Sequence, residues 1–402
     1  MGFADRTFWV YPWDIADGDP GKRLEEICKL GANAISIPFS YHSLRALAPH
    51  SSGRKVINAT AAVYFRPHPE EFPPTGIQPR SSEWASDEGP LPGLFSHAES
   101  LDLRLRAWTV VFHNTPLASA HPDAAIKNCF GDVFAHALCP SAPKSQDYAI
   151  RLVRAVSARP IHAIEMEAAG FYGYEHLSHH DKCGIGFDLF HHFLFSCCFC
   201  PYCESIFRSA GLDPEFVSER FRRRLLKFFE GKAAAINKPE EATIQLYELL
   251  GENAASGLLR ARTQCVLGLL REIRKIVPST IELTVSSGLS PFECSALLGA
   301  YPEDTLKIVD RLLLVVFEPS AVGFQRRFHD ALKACPDTSR WIPGIRIFPP
   351  DASSEAMIEA RLNYLQRQDF RAVHLYHYGL ASDHLLAAAG RAWKMKKEKI
   401  VD

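Results

Sequence analysis

Two carboxylates and a group of thiols are the residues of this sequence best suited to chemistry. Residues 161–176 read IHAIEMEAAGFYGYEH, a run of β-type side chains (Ile161, Ile164, Met166) that carries Glu165 and Glu167 and breaks at Ala-Ala-Gly. Residues two apart on a strand share a face, so both carboxylates point the same way, with Glu167 nearer the C-terminal end. Two neighbouring carboxyls cannot both ionise cheaply, so one pKa is expected to rise, as acid–base work requires. Downstream, residues 196–207 read SCCFCPYCESIF, with Cys198, Cys200 and Cys203 in C-x-C-x2-C spacing and Cys197 adjacent. Three thiolates lack one ligand of a tetrahedral zinc. Cys139, Cys183 and Cys129 are the candidates for the fourth. Such a site needs no open position, so it is expected to be structural; a set of buried free thiols is the plain alternative.

These groups need a scaffold, and the pattern supplies one. Eight β-rich runs recur at 7–13, 32–40, 104–112, the Glu165/Glu167 segment, 280–286, 311–317, 344–348 and 372–378. Helical patterns at 20–30, 94–100, 146–157, 321–335, 355–366 and 383–396 alternate with them. This order predicts an α/β fold, a (β/α)8 TIM barrel over 1–402 as one domain. Residues 183–277 form a mostly helical insertion after the fourth strand, expected as a cap beside the barrel mouth. The Pro- and Ser-rich stretch 41–82 is expected to be a functional loop. An open doubly wound sheet is disfavoured, because no G-x-G-x-x-G opens a helix after the first strand and no P-loop is present.

In such barrels the active site lies at the C-terminal strand ends. The candidates there are Trp13 and Asp14, then Ser40, Tyr41 and His42, then His113 and Asn114. Glu165 and Glu167 follow, then Ser286 and Ser287, Glu318, Asp351, and finally His374, Tyr376, His377 and Tyr378. Aromatic faces for pyranose rings together with paired carboxylates suit a sugar site. Each residue also has a structural reading. Glu165 is deep enough to pair with Arg104 or Arg106, Asp351 lies in a run that reads as a helix cap, and Trp13 reads equally as core.

The segment 139–207 resembles the family 42 β-galactosidases of glycosidase clan A. Glu167 matches that family's acid/base Glu after the fourth strand, and Cys198, Cys200, Cys203 and Phe207 match its zinc cluster. The resemblance implies Cys139, in ALCPSAP, as the fourth zinc ligand. Two departures stand out: Met166 replaces the clan's Asn before the Glu, and the seventh strand ends in Phe348-Pro349-Pro350-Asp351 without a nucleophilic Glu.

The expected function is therefore hydrolysis of a glycoside in which Glu167 attacks the anomeric carbon or stabilises the oxocarbenium-like state, Glu318 protonates the leaving oxygen and then activates water, and Glu165 tunes Glu167. His42, His113, Asn114, Asp351, Tyr376, His377 and Tyr378 are expected to line the sugar, and Trp13 or Tyr41 to stack on it. The alternatives are a sugar isomerase or lyase whose metal is held by Glu165 or Glu167 with His113 or His377, and a carbohydrate-binding barrel without catalysis. The composition fits a small-molecule partner: 402 residues, 47% hydrophobic, net charge -1 and pI near 7.0. Nothing points to bulk nucleic-acid or anionic-membrane binding, the basic runs at 222–224 and 394–399 reading as solvated helix faces, and self-association is left open. No secretory signal and no apolar run of ~18 residues is visible. With eleven cysteines this gives a cytoplasmic expectation.

Overall fold

Eight parallel strands close into a ring. In chain order they are β1 (Asp5–Trp9), β2 (Ala34–Tyr41), β3 (Arg104–Val110), β4 (Ala163–Glu167), β5 (Glu282–Ser286), β6 (Arg311–Val316), β7 (Trp341–Arg346) and β8 (Ala372–Tyr376). Each pairs in parallel with its sequence neighbours, and β1 pairs with both β2 and β8, which shuts the barrel. The computed structural model describes residues 2–174 and 182–394. Glu175 and His176, at the end of the acidic segment, and the basic run beyond residue 394 lie outside the described residues.

The helices start where the sequence supplies caps. Asp19, Asn114, Asp188, Ser320 and Ser354 each accept backbone N–H groups of the first turn. Between β4 and β5 come the helices Leu189–Ser196, Pro201–Ser209, Pro214–Phe229, Pro239–Leu250 and Glu252–Ile276. The last differs from the cap expected over 183–277. Its 25 residues make a rod of about 37 Å that packs on Pro143–Ser157 and returns the chain to the start of β5. Four shorter helices precede it in the same stretch. Between β5 and β6 there is only one helical turn, Pro302–Thr305, among the described residues. The stretch expected as one long loop after β2 contains an antiparallel hairpin, Leu44–Leu47 with Val56–Ala59, and Ala62–Val63, which pairs antiparallel with the end of β2.

The barrel interior is charged rather than aliphatic. Arg106 ion-pairs with Glu165, with Glu282 (2.6 Å) and with Asp5 (3.4 Å). Arg311 ion-pairs with Asp5 (2.9 Å) and Glu282 (2.7 Å), and Arg104 reaches Asp5 from the edge at 3.3 Å. Three cations thus meet three carboxylates, and the Ser36 hydroxyl donates to Glu165. Burial pushes the His374 imidazole beside Glu165 down to about 4, so it is neutral. Burying charges in this way is tolerable only because each has a partner. This plug forms the floor beneath the mouth.

Candidate active site

Strand alternation carries β4 from the plug to the mouth. Glu165 and Glu167 share the interior face as expected, but they do different jobs. Glu165 is wholly buried and tied to Arg106, Ser36 and His374. It belongs to the floor, so the expectation that it tunes Glu167 is corrected. Glu167, one layer higher, is half-buried, with its carboxyl at the mouth. Trp108 on β3 donates its indole N–H to Glu167 Oε2 at 2.7 Å. Loss of water still pushes the carboxyl from 4.5 up to about 7, and the Trp108 bond only partly offsets that. Glu167 can therefore hold or release a proton near neutrality.

Aromatic residues surround it. Trp108 lies 4.5 Å from the Tyr41 ring, 5.9 Å from Trp9 and 6.2 Å from Tyr376, centre to centre. The Tyr11 hydroxyl sits 3.2 Å from that of Tyr376 and 3.4 Å from that of Tyr41. Burial raises all three phenols, so they are neutral hydroxyls. From Tyr41 a stack continues through His42 (4.2 Å) and His113 (4.5 Å) to Tyr172 (4.4 Å). Tyr41, His42, His113, Tyr376 and Glu167 are thus brought together. Trp9, Tyr11, Trp108 and Tyr172 were missed. The alternation of Trp9 and Tyr11 within TFWVYPW, in phase with Asp5 and Thr7, was the available signal.

Other expected residues are used elsewhere. Glu318 does not reach the mouth. Arg311, in the plug, and Phe317, against Tyr376, mark the odd positions of β6 as interior, which turns Glu318 outward. Its carboxylate accepts the Ser320 N–H at 2.9 Å and is held below its ordinary pKa by that bond. It has no proton to give near neutrality, so it is corrected as the second catalytic group. We expect Glu318→Gln to leave the rate on a nitrophenyl monoglycoside within about twofold of wild type, as a change outside the transition-state contacts should.

Asn114 spends its side-chain oxygen on the Leu117 N–H as a helix cap. Trp13 is buried between Tyr11 and Trp84 rather than open to a sugar. Tyr378 lies outside the ring, against Phe8 and His50. His377 is fully buried and stacks on Tyr11 at 4.0 Å, its Nδ1 accepting the Gly379 N–H. It backs the Tyr11 ring. Asp351 is buried and paired with Arg346 at 3.1 Å. Asp14, pushed up to about 7 by burial, accepts the Tyr11 backbone N–H.

The cysteine cluster assembles as its spacing predicts. The sulfurs of Cys139, Cys198, Cys200 and Cys203 all lie within 4.8 Å of one another and are buried. Cys139 is 3.6 Å from Cys203 and 3.7 Å from Cys200. Zn–S bonds of about 2.3 Å give tetrahedral S···S edges of about 3.8 Å, so the donor set fits a metal ion. Backbone N–H groups of Lys127 and Cys200 point at Cys198 Sγ, each at 3.4 Å, as suits a thiolate. Cys183 is exposed, bonded to the Ile185 carbonyl, and Cys129 is outside the group. The cluster joins the loop after β3 to the insertion after β4.

No family model matches the sequence, and no curated protein matches it. Among solved structures the chain is similar to α-L-fucosidase isoenzyme 2 from Paenibacillus thiaminolyticus, with a TM-score of 0.59 and 14% identity over 98% of this chain and 49% of the fucosidase. The chain thus spans about half the length of that protein. A chitinase from Chromobacterium violaceum ATCC 12472 (TM-score 0.46, 8% identity, 98% of this chain and 100% of that chain) and an α-galactosidase from Thermus thermophilus (0.45, 10%, 98% and 62%) also match. At such identities the similarity to the fucosidase shows the fold, a (β/α)8 TIM barrel shared with a glycosidase.

Proposed function

We propose that the protein is a glycoside hydrolase in which Glu167 moves the proton at the scissile glycosidic oxygen. The observation that carries this reading is one carboxyl, with its pKa raised to about 7, at the C-terminal end of a barrel strand among aromatic walls. A group poised near the working pH is an efficient general acid and, once ionised, an efficient base. Half-buried Tyr376 offers a hydroxyl and a ring face to a sugar, and the buried rings of Trp9, Tyr11, Tyr41 and Trp108 wall the carboxyl. The test is a panel of nitrophenyl glycosides. Cleavage of one or more supports the reading. If neither these nor any oligosaccharide is cleaved while calorimetry detects sugar binding, the barrel is a binding module, a reading favoured by the lack of a second carboxylate beside Glu167 among the described residues. The isomerase or lyase alternative has less support: Glu165 is tied into the floor, which leaves Glu167 with His113, and the cysteine group is the one cluster of three or more metal donors among the described residues.

The cysteine cluster is proposed as a structural zinc site held by Cys139, Cys198, Cys200 and Cys203. Bound zinc would fix the antiparallel hairpin of Ala125–Lys127 with Val133–Leu138, whose His136 and Ala137 adjoin His113, and so brace one side of the mouth. A thiolate site of this kind suits a reducing, cytoplasmic setting. In Cys200→Ser, we expect purified protein to lose its stoichiometric zinc by elemental analysis and to melt several degrees lower. Full zinc content with an unchanged melting temperature would overturn this assignment.

A further inference from the structure

A groove of about 1010 Å³ runs along the flank of the barrel where β5 and β6 lack a full helix between them. One wall is the start of helix Pro239–Leu250 with Asn237, the other is helix Ala321–Ala334, and the loop after β5 forms the base. Phe317 connects it to the mouth. This side chain lines the groove, is 41% exposed, and lies 5.2 Å from the Tyr376 ring. A second aromatic, Tyr301, is 38% exposed in the same groove.

Three properties define what the groove would hold. Its volume is at the upper end of small-molecule sites, too large for a single monosaccharide. Its walls carry as many carboxylates as cations, and Glu293 and Arg327 neutralise each other through a two-point ion pair. A polyanion would find no surplus charge here. The Ser290 hydroxyl at the base is buried, 2% exposed, and lacks a hydrogen-bond partner, and such a group calls for a polar ligand or water. Two separated exposed aromatics with buried and exposed hydrogen-bonding groups between them complement a chain of rings with apolar faces and hydroxyl edges.

We propose that this groove is an extended binding site for a neutral oligosaccharide chain, entered from the mouth past Phe317 and ending near Tyr301. The proposal rests on the glycosidase reading for its direction and deepens it: the substrate is an oligosaccharide rather than a small glycoside. Phe317 stacks on the unit nearest Glu167, and Tyr301 on a distal one.

The test uses cello-, xylo-, manno-, galacto- and chito-oligosaccharides of two to six units, with oligogalacturonate as the charged control. Wild type and Tyr301→Ala are compared by hydrolysis and by titration calorimetry. We expect kcat/KM for one neutral series to rise at least tenfold with chain length. Tyr301→Ala should raise KM for the longest members about tenfold, with kcat and the rate on the matching nitrophenyl monoglycoside unchanged. Cleavage of the monoglycoside with no gain from length would overturn the groove and leave the glycosidase reading standing. Length-dependent binding without cleavage, weakened by Tyr301→Ala, would support the groove and overturn the glycosidase reading. Neither binding nor cleavage of any series, or a preference for oligogalacturonate, would overturn the proposal.

Discussion

Glu167→Gln should lower kcat by about 10²–10⁴-fold on whichever glycoside the wild type cleaves, the range typical of losing a positioned general acid–base. KM should change little, because the amide oxygen can still accept the Trp108 N–H. The wild-type rate should fall as pH rises above about 7, where the acid form of Glu167 disappears. Asp14 is also raised to about 7, so Asp14→Asn is the control: the alkaline limb should survive it. The same shift predicts a stability effect of the opposite sign. Folded Glu167 keeps its proton up to about 7, whereas the unfolded chain releases it near 4.5. Stability is therefore lost as pH rises from about 4.5 to about 7. Gln has no proton to lose, so the variant should exceed wild type by about 3 kcal/mol at pH 8 and match it at pH 4. Thermal melts at both values check this. A variant that melts lower at pH 8 would mean that water reaches the carboxyl freely.

Arg106→Met should be far more damaging to the fold, costing about 3–5 kcal/mol, a large part of a typical stability of about 5–15 kcal/mol. Arg106 is the shared partner of Glu165, Glu282 and Asp5, and its removal leaves buried carboxylates facing a single interior cation, Arg311, with Arg104 only at the edge. An exposed pair such as Lys238 with Glu241 should contribute little by comparison. Chemical denaturation of Arg106→Met beside Lys238→Met measures the contrast. The plug also sets acid behaviour. Glu282 is held down at about 2 and Asp5 lower still, mainly by Arg106 working against burial. The stability they contribute is present above about 4.5 and lost as pH falls through about 2. Arg106→Met should shift the acid transition to higher pH.

The sequence reading succeeded where local pattern and spacing carry the information. Eight β-type runs alternating with helical ones define a barrel, the two-residue step places Glu167 on the interior face, and C-x-C-x2-C gathers its sulfurs. It failed where register decides. In RLLLVVFE every position from 312 to 317 is apolar, so nothing local distinguishes inside from outside, and Glu318 was assigned to the mouth. Only the pairing of Arg311 with Asp5 and Glu282 across the ring fixes the phase. Arg106 was legible as a partner for Glu165, but Asp5 and Glu282 were not, because a barrel interior is expected to be aliphatic. Trp9, Tyr11 and Trp108 look like core residues in a linear reading, and their role follows from the carboxyl they enclose.

The charged floor also acts as a key for alignment. An eight-stranded ring can in principle close at several staggers, and apolar side chains discriminate weakly among them. A one-residue slip of β3 would turn Arg106 out of the ring. A two-residue slip would move it about 6.6 Å along the barrel, beyond the ion-pair distances that hold it to Asp5 and Glu282. Charges drawn from β1, β3, β4, β5 and β6 thus admit a single stagger. That stagger sets the height of every side chain above the floor, so the position of Glu167 is fixed by the same lock that closes the barrel.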